Sequence, residues 1–124
     1  MYRLYNRYAM NIALDARRLD AAFAALSDAT RRAILIRLAR GEATVNELTE
    51  SFAISQPAIS RHLKVLESAG LIARSRDAQR RPARVEQQSI AGVTAWIERY
   101  RELWERTYQR LDAVLADELK ARNA

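Results

Sequence analysis

Cysteine is absent from the 124 residues, which removes disulfide frameworks, thiolate metal sites and thiol redox switches at once. A single histidine, His62, leaves no histidine cluster. No apolar run approaches the roughly 20 residues a membrane span requires, and the N-terminus lacks the apolar stretch of a signal peptide. The expectation is a cytoplasmic protein with no membrane contact, no cofactor, no metal site and no catalytic residues.

What is present is a modest core and an excess of positive charge. Hydrophobic residues make up 49% of a chain long enough for one domain. Lysine and arginine number 21 against 15 carboxylates, for a formal +6 and a pI near 10.3, a balance that favours polyanionic partners. The excess is concentrated between Ser55 and Arg84, where Arg61, Lys64, Arg74, Arg76, Arg80, Arg81 and Arg84 oppose only Glu67 and Asp77.

The stretch from Ser55 to Leu71 carries the clearest signals. Ser55 can cap the first amides, Pro57 is tolerated in a first turn, and Gly70 supplies a left-handed stop, so a helix is predicted over Gln56 to Ala69. Ile59, Leu63 and Leu66 fall on one face of it, and Gln56, Ser60, Arg61 and Lys64 on another. Glutamine and arginine read base edges bidentately, while serine and lysine suit bases or phosphates, so this face has the composition of a major-groove recognition helix. A solvated amphipathic helix would share that composition, and the flanking segments decide between the two.

Upstream, residues Asp15 to Leu26 place Leu19, Ala22, Phe23 and Leu26 at helical spacing, an alanine-rich helix suited to packing against the last one. Ser27 or Asp28 caps a second helix from Ala29 to Arg40, with Ala33, Ile34, Leu35 and Leu38 inward and Gly41 closing it. Its Arg31, Arg32 and Arg37 lie outward, for solubility or for phosphate contact. Thr44-Val45-Asn46-Glu47 is a capping box opening a short third helix to about Phe52, with Val45, Leu48 and Phe52 as its buried stripe. The brief Ala53-Ile54 link then makes a helix-turn-helix. Residues 1–13 are expected to form a loose tail, with Met10 a candidate start and a DNA-touching basic arm the alternative.

Downstream, Leu71 to Arg76 and Ala83 to Gln88 are strand-like runs around a polar turn containing Pro82, which reads as a basic hairpin despite alanines at 73 and 83 and no glycine at the tip. Ser89 is read as the cap of a long helix from Ile90 to about Lys120. Ile90, Val93, Ile97, Tyr100, Trp104, Thr107, Leu111 and Val114 recur along it at three and four, widened by Trp96, Leu103, Tyr108, Leu115 and Leu119. Roughly 45 Å of such a helix exceeds what a small domain covers, so pairing with a second chain is expected, with folding back on its own domain as the alternative. The glutamates Glu98, Glu102 and Glu105 alternate with Arg99, Arg101 and Arg106 as solvated ion pairs.

The order of helices, the block Ser-Gln-Pro-Ala-Ile-Ser-Arg-His-Leu-Lys, the Ala-Gly-Leu-Ile that follows and Leu26-Ser27-Asp28-Ala29-Thr30-Arg31-Arg32 upstream together resemble the ArsR/SmtB family of winged-helix repressors over about Leu19 to Gln88. The resemblance implies a homodimeric repressor, often an autorepressor, on a palindromic operator and relieved by a ligand. Where metal-sensing members carry a Cys-x-Cys-x-x-Cys pattern, this chain has Thr44, Asn46 and Thr49, so it is similar to the cysteine-free branch that does not sense metals. His62 falls where the family pattern places a histidine, with a packing or hydrogen-bonding role.

The expected fold is mainly α with a small β-hairpin, a winged helix-turn-helix dimerising through its N- and C-terminal helices. The DNA-binding domain is expected over 14–88 and the dimerisation helix over 89–124. The DNA-binding candidates are Ser55, Gln56, Ser60, Arg61, Lys64, Arg80, Arg81 and Arg84. The interface candidates are Leu19, Phe23, Val93, Trp96, Ile97, Tyr100, Trp104 and Leu111. Double-stranded DNA and a second copy of the chain are the partners, and a small-molecule effector could sit near Trp96 and Trp104, whose rings core packing explains equally well. A protein-interaction module using the aromatic helix, with nonspecific DNA affinity, is the alternative.

Overall fold

The computed structural model describes residues 16–76 and 80–124, so the expectations for the N-terminal tail, for Met10 and for the first part of the hairpin turn lie outside the described residues. Helix α1 covers residues 16–25. It is followed by α2 (Ala29–Leu38), α3 (Val45–Phe52), α4 (Gln56–Ser68), strands β1 (Ile72–Arg74) and β2 (Ala83–Val85), and α5 (Gln87–Arg122). The chain divides after Ile90 into two compact units.

The first unit is held by a small aliphatic core. Ile34, Leu48, Ile59, Leu63, Leu66 and Leu71 are fully buried, joined by Ala22 and Ala25 from α1, Leu38 from α2, and Ile72. The three apolar positions expected on α4 are therefore all in the core. In α1, Ala22 and Ala25 carry the burial, whereas Leu19 is half-buried and Phe23 exposed. Alanine here lets helix backbones approach closely, and the larger side chains are left at the rim.

Caps set the helix boundaries. The Asp28 carboxylate accepts from the Arg31 amide at 3.0 Å, so Asp28 rather than Ser27 caps α2. Thr44 and Glu47 form the reciprocal capping box of α3. Helix α4 closes in a Schellman arrangement: the Leu71 amide reaches the Leu66 carbonyl at 3.1 Å and the Gly70 amide the Glu67 carbonyl at 2.9 Å. Gly70 has φ +75°, where a side chain is strained. The buried Leu71 and Leu66 supply the apolar contact that accompanies this motif.

The strands pair antiparallel, Ile72 with Val85, Ala73 with Arg84 and Arg74 with Ala83. They are shorter than expected, β2 stopping at Val85 because α5 begins at Gln87, and Ala83 has a second partner: its amide and carbonyl exchange bonds with Ala43 at 2.8 and 3.1 Å. Alanine, a poor strand former in general, suits a fully buried position with backbone on both sides. The left-handed residue that the glycine-free turn needs is Arg81, at φ +35°.

Helix α5 begins three residues before the expected start. Ser89 lies inside its first turn rather than capping it, and the Ile90 amide already bonds the Glu86 carbonyl at 3.2 Å. At 1.5 Å per residue its 36 residues extend about 54 Å. Trp96, Tyr100, Trp104 and Tyr108 form a ladder one turn apart, with ring centroids 5.3, 5.9 and 6.0 Å from each other. Arg101 and Glu105 pair at 3.3 Å across one turn, as expected for the solvated charges.

The Asp28 cap gives the fold a defined acid sensitivity. The Arg31 amide bond, aided by the charges of Arg31 and His62, outweighs desolvation and holds this carboxyl below its ordinary value of 3.8. The unfolded chain therefore binds a proton at a higher pH than the folded one. The contribution is complete above about 3.8 and is lost as pH falls through the lower folded value. Thermal melts of Asp28→Ala are expected to lie below wild type at neutral pH, with the gap closing under acid conditions. A gap unchanged between neutral and strongly acid pH would refute the ionised cap.

Candidate nucleic-acid interface

In the turn between α3 and α4, Ala53 and Ser55 have distinct tasks. Ala53 adopts a left-handed conformation at φ +52° and its amide bonds the Thr49 carbonyl at 3.1 Å, which ends α3. A left-handed alanine costs about 1–2 kcal/mol, and the smallest side chain with a Cβ keeps that cost low. Ser55 then caps α4, its Oγ accepting from the Ala58 amide at 3.2 Å. Accepting that bond leaves the Ser55 hydroxyl hydrogen free to donate, so the cap and an outward contact are compatible.

With Ile59, Leu63 and Leu66 sealed inward, Gln56, Ser60, Arg61 and Lys64 are all exposed on the outward side of α4. One of them is not idle. Gln56 Nε2 donates to Asn46 Oδ1 at 2.8 Å, tying the start of the outward face to α3 and leaving the Gln56 carbonyl available as an acceptor. The positions aligned with metal-sensing cysteines thus serve the fold: Thr44 caps, Asn46 braces Gln56, and Thr49 Oγ1 donates to the Val45 carbonyl at 2.8 Å.

The arginines divide into two groups. Arg31 Nε donates to the Ala25 carbonyl at 2.6 Å and Arg32 Nη1 to the Leu26 carbonyl at 2.8 Å, completing the end of α1. Arg37 Nη1 donates to the Gly41 carbonyl at 3.0 Å and approaches Glu47 at 3.9 Å. Beside the two readings of these outward arginines, phosphate contact and solubility, the structure gives a third: Arg31 and Arg32 satisfy carbonyls at the end of α1, and Arg37 the Gly41 carbonyl in the loop after α2. His62 is half-buried beside this network, with Nδ1 3.5 Å from Arg31 Nη1 and 4.0 Å from Asp28 Oδ2. It has an acidic neighbour, supplied by the N-cap of α2 rather than from nearby in sequence.

The hairpin arginines face differently. A cleft of about 520 Å³ opens between the starts of α3 and α4 and the base of the hairpin, lined by Thr44, Val45, Asn46, Glu47, Gln56, Ser60, Arg74, Arg80 and Arg81. It gathers four of the expected contact residues, Gln56, Ser60, Arg80 and Arg81. Arg84 is not among them. It projects elsewhere, 3.7 Å from Glu86, and lines a separate depression with the end of α2. Arg74 was not singled out from sequence, yet it lies in the cleft, and its Nη2 donates to the Arg81 carbonyl at 3.2 Å. The available signal was strand alternation: Arg74 is two residues beyond the buried Ile72, but its side is decided by the turn.

The profile of a family described as bacterial regulatory protein, arsR family, matches residues 28–74, from the cap of α2 to the end of β1. The chain is 40% identical over 81 residues to the HTH-type transcriptional regulator Rv2034 of Mycobacterium tuberculosis, covering 65% of this chain and 76% of that protein. It is 46% identical over 57 residues to the transcriptional repressor SdpR of Bacillus subtilis, covering 46% of this chain and 63% of that one. Among solved structures it is similar to an ArsR-like transcriptional regulator from Rhodococcus sp. RHA1, with a TM-score of 0.66 at 30% identity over 80% of this chain and 91% of that chain.

Ser55→Ala is expected to lower the unfolding free energy by about 1 kcal/mol through loss of the cap. Ser55→Asp should restore most of it, because a carboxylate also caps. Urea denaturation of the three proteins measures this, and equal midpoints would show that the serine does not cap α4.

Proposed function

The chain belongs to the arsR family of bacterial regulatory proteins, and on that premise we propose that it is a homodimeric transcriptional repressor whose α4 helices read a palindromic operator. The observation that carries the reading is the exposure of Gln56, Ser60, Arg61 and Lys64 along one side of a helix whose other side is fully sealed. Gln56, Ser60 and Arg61 contact base edges in the major groove, and Arg61 suits guanine O6 and N7. Lys64 meets phosphate, with the Ser55 hydroxyl as a further donor. Arg80 and Arg81 approach the backbone from the hairpin, with Arg84 a more peripheral contributor because Glu86 sits beside it.

Dimerisation is supported by α5 considered by itself. Trp104 is 44% exposed, Leu111 53% and Val114 58%, on the stripe that also holds Val93, Ile97 and Tyr100. An apolar stripe of this size on a lone subunit marks an interface, and the heptad-like spacing suits a second helix of the same kind. Trp96 widens the stripe, and Leu19 and Phe23 of α1 are the further apolar groups assigned to the seam. A two-fold dimer sets two α4 helices about 34 Å apart, one turn of duplex. No helix among the described residues is long and apolar enough to cross a membrane, and we place the repressor's action in the cytoplasm, with the DNA it reads. A protein-interaction module using the aromatic helix, with only nonspecific DNA affinity, is less well supported, since it gives the base-reading groups on the outward face of α4 no task.

Mobility shift against the DNA upstream of its own gene tests the reading. Arg61→Ala is expected to relax base preference at one position of each half-site, removing about 1–3 kcal/mol of discrimination. Lys64→Ala should weaken all duplexes alike and reduce the log–log salt slope by about 0.9. If both variants bound the operator as wild type does, α4 would not be the reading element. Trp104→Glu is expected to sediment as a monomer, with operator affinity reduced on the order of 100-fold as the second half-site is lost. A Trp104→Glu dimer would remove α5 from the interface.

A further inference from the structure

The fold brings two positive charges together at the hairpin base. Arg74, in β1, and Arg81, at the left-handed end of the turn, are joined by the 3.2 Å bond from Arg74 Nη2 to the Arg81 carbonyl. Among the described residues neither has a carboxylate within ion-pairing distance, and Glu47, the acidic residue lining the cleft, is turned toward Thr44 and Arg37. Arg74 Nε is shut away from water with no acceptor, the only buried side-chain polar atom so placed among the described residues. Burial and the Arg81 charge both push the Arg74 pKa down from its ordinary value, against a smaller opposing pull from Glu67. Such an arrangement is poorer than leaving either side chain in solvent, and groups held this way concentrate at binding sites.

We propose that Arg74 and Arg81, with the side chain of Ser60 on the facing wall, form a single seat for one phosphate of the operator backbone. The inference rests on the DNA-binding reading above and adds to it a residue, Arg74, and a stoichiometry of one phosphate for the cluster. A phosphate offers oxygens to both guanidiniums at once, cancels their repulsion, and gives the Arg74 Nε–H an acceptor when that side chain turns outward into the cleft. Because Gln56 and Ser60 line the same cleft, the seated phosphate sets the depth at which α4 meets the bases. Arg74 thereby couples the hairpin to the reading helix. It positions, while Arg61 and Gln56 discriminate.

A shared phosphate has a signature that separate contacts lack. If Arg74 and Arg81 met different phosphates, Arg74→Gln and Arg81→Gln would each reduce the salt slope by about 0.9 and the double variant by about 1.8. With one seat, each single variant keeps most of the slope, because the other arginine still holds the phosphate, and the double variant loses only about 0.9. Base preference at the Arg61 position should be unchanged in the two single variants, where the phosphate stays seated. A double-variant loss near 1.8, or none, overturns the seat. A second readout uses the unaltered full chain: titration with inorganic phosphate should move the Arg74 and Arg81 Nε–H resonances saturably and together, leaving that of Arg61 in place. Absence of that movement also overturns the seat. Movement in a protein that retards no duplex would retain the anion seat and reject the repressor reading instead.

Discussion

The burial of Ile59, Leu63 and Leu66 is the constraint from which the rest of the DNA-binding unit follows. Three large aliphatic side chains at positions three and four apart fix the rotation of α4 about its own axis. Turning the helix would bring each into water at a cost of roughly 1.5–3 kcal/mol per side chain. Once rotation is fixed, the outward direction of Gln56, Ser60, Arg61 and Lys64 is no longer adjustable. The Schellman closure at Gly70 then delivers Leu71 straight into the same core, so the chain leaves the helix already committed to the hairpin.

Around that helix, the fold uses arginine in two physically different ways. Arg31, Arg32 and Arg37 lie where helices end and carbonyls lack amide partners, and their guanidiniums supply the missing donors. Arg80 and Arg81 line a cleft open to a ligand, and Arg74, which lines it with them, gives one bond to the Arg81 carbonyl while its Nε is buried without a partner. A basic chain need not therefore present all its charge to nucleic acid. Part of the +6 is consumed inside the domain, which sharpens the contrast between the hairpin side and the rest.

The double pairing of Ala83 connects these two regions. Through Ala43 it ties the residue before the α3 cap to the hairpin, and through Arg74 it sets which way that side chain leaves the strand. Recognition helix, capping box and hairpin thus share one small backbone network rather than hanging separately from the core. The aromatic ladder of α5 belongs to a different logic. Its rings cover one another along a single helix, yet Tyr100, Leu103, Trp104 and Tyr108 remain substantially exposed, a surface that asks for another apolar surface and not for a polyanion.

Much of this was legible in the residues, because the signals are local. Capping at Ser55 and Thr44, the stop at Gly70, the two faces of α4 and the period of α5 all depend on neighbours within about one or two turns, where geometry follows directly from spacing. The start of α5 was misplaced for the same reason: Ser89 has the chemistry of a cap, but the chain was already helical when it left β2. What no local pattern could decide were the pairings between distant segments. That Arg31 would close α1, that Asp28 would stand beside His62, that Ala83 would bind Ala43, and that Arg74 would meet the Arg81 carbonyl each required the core to form first. The sequence by itself determined which faces were apolar and which cationic. Only the tertiary structure decided which cations were consumed by backbone carbonyls and which were left facing outward, because that choice depends on distances set by packing and not by order along the chain.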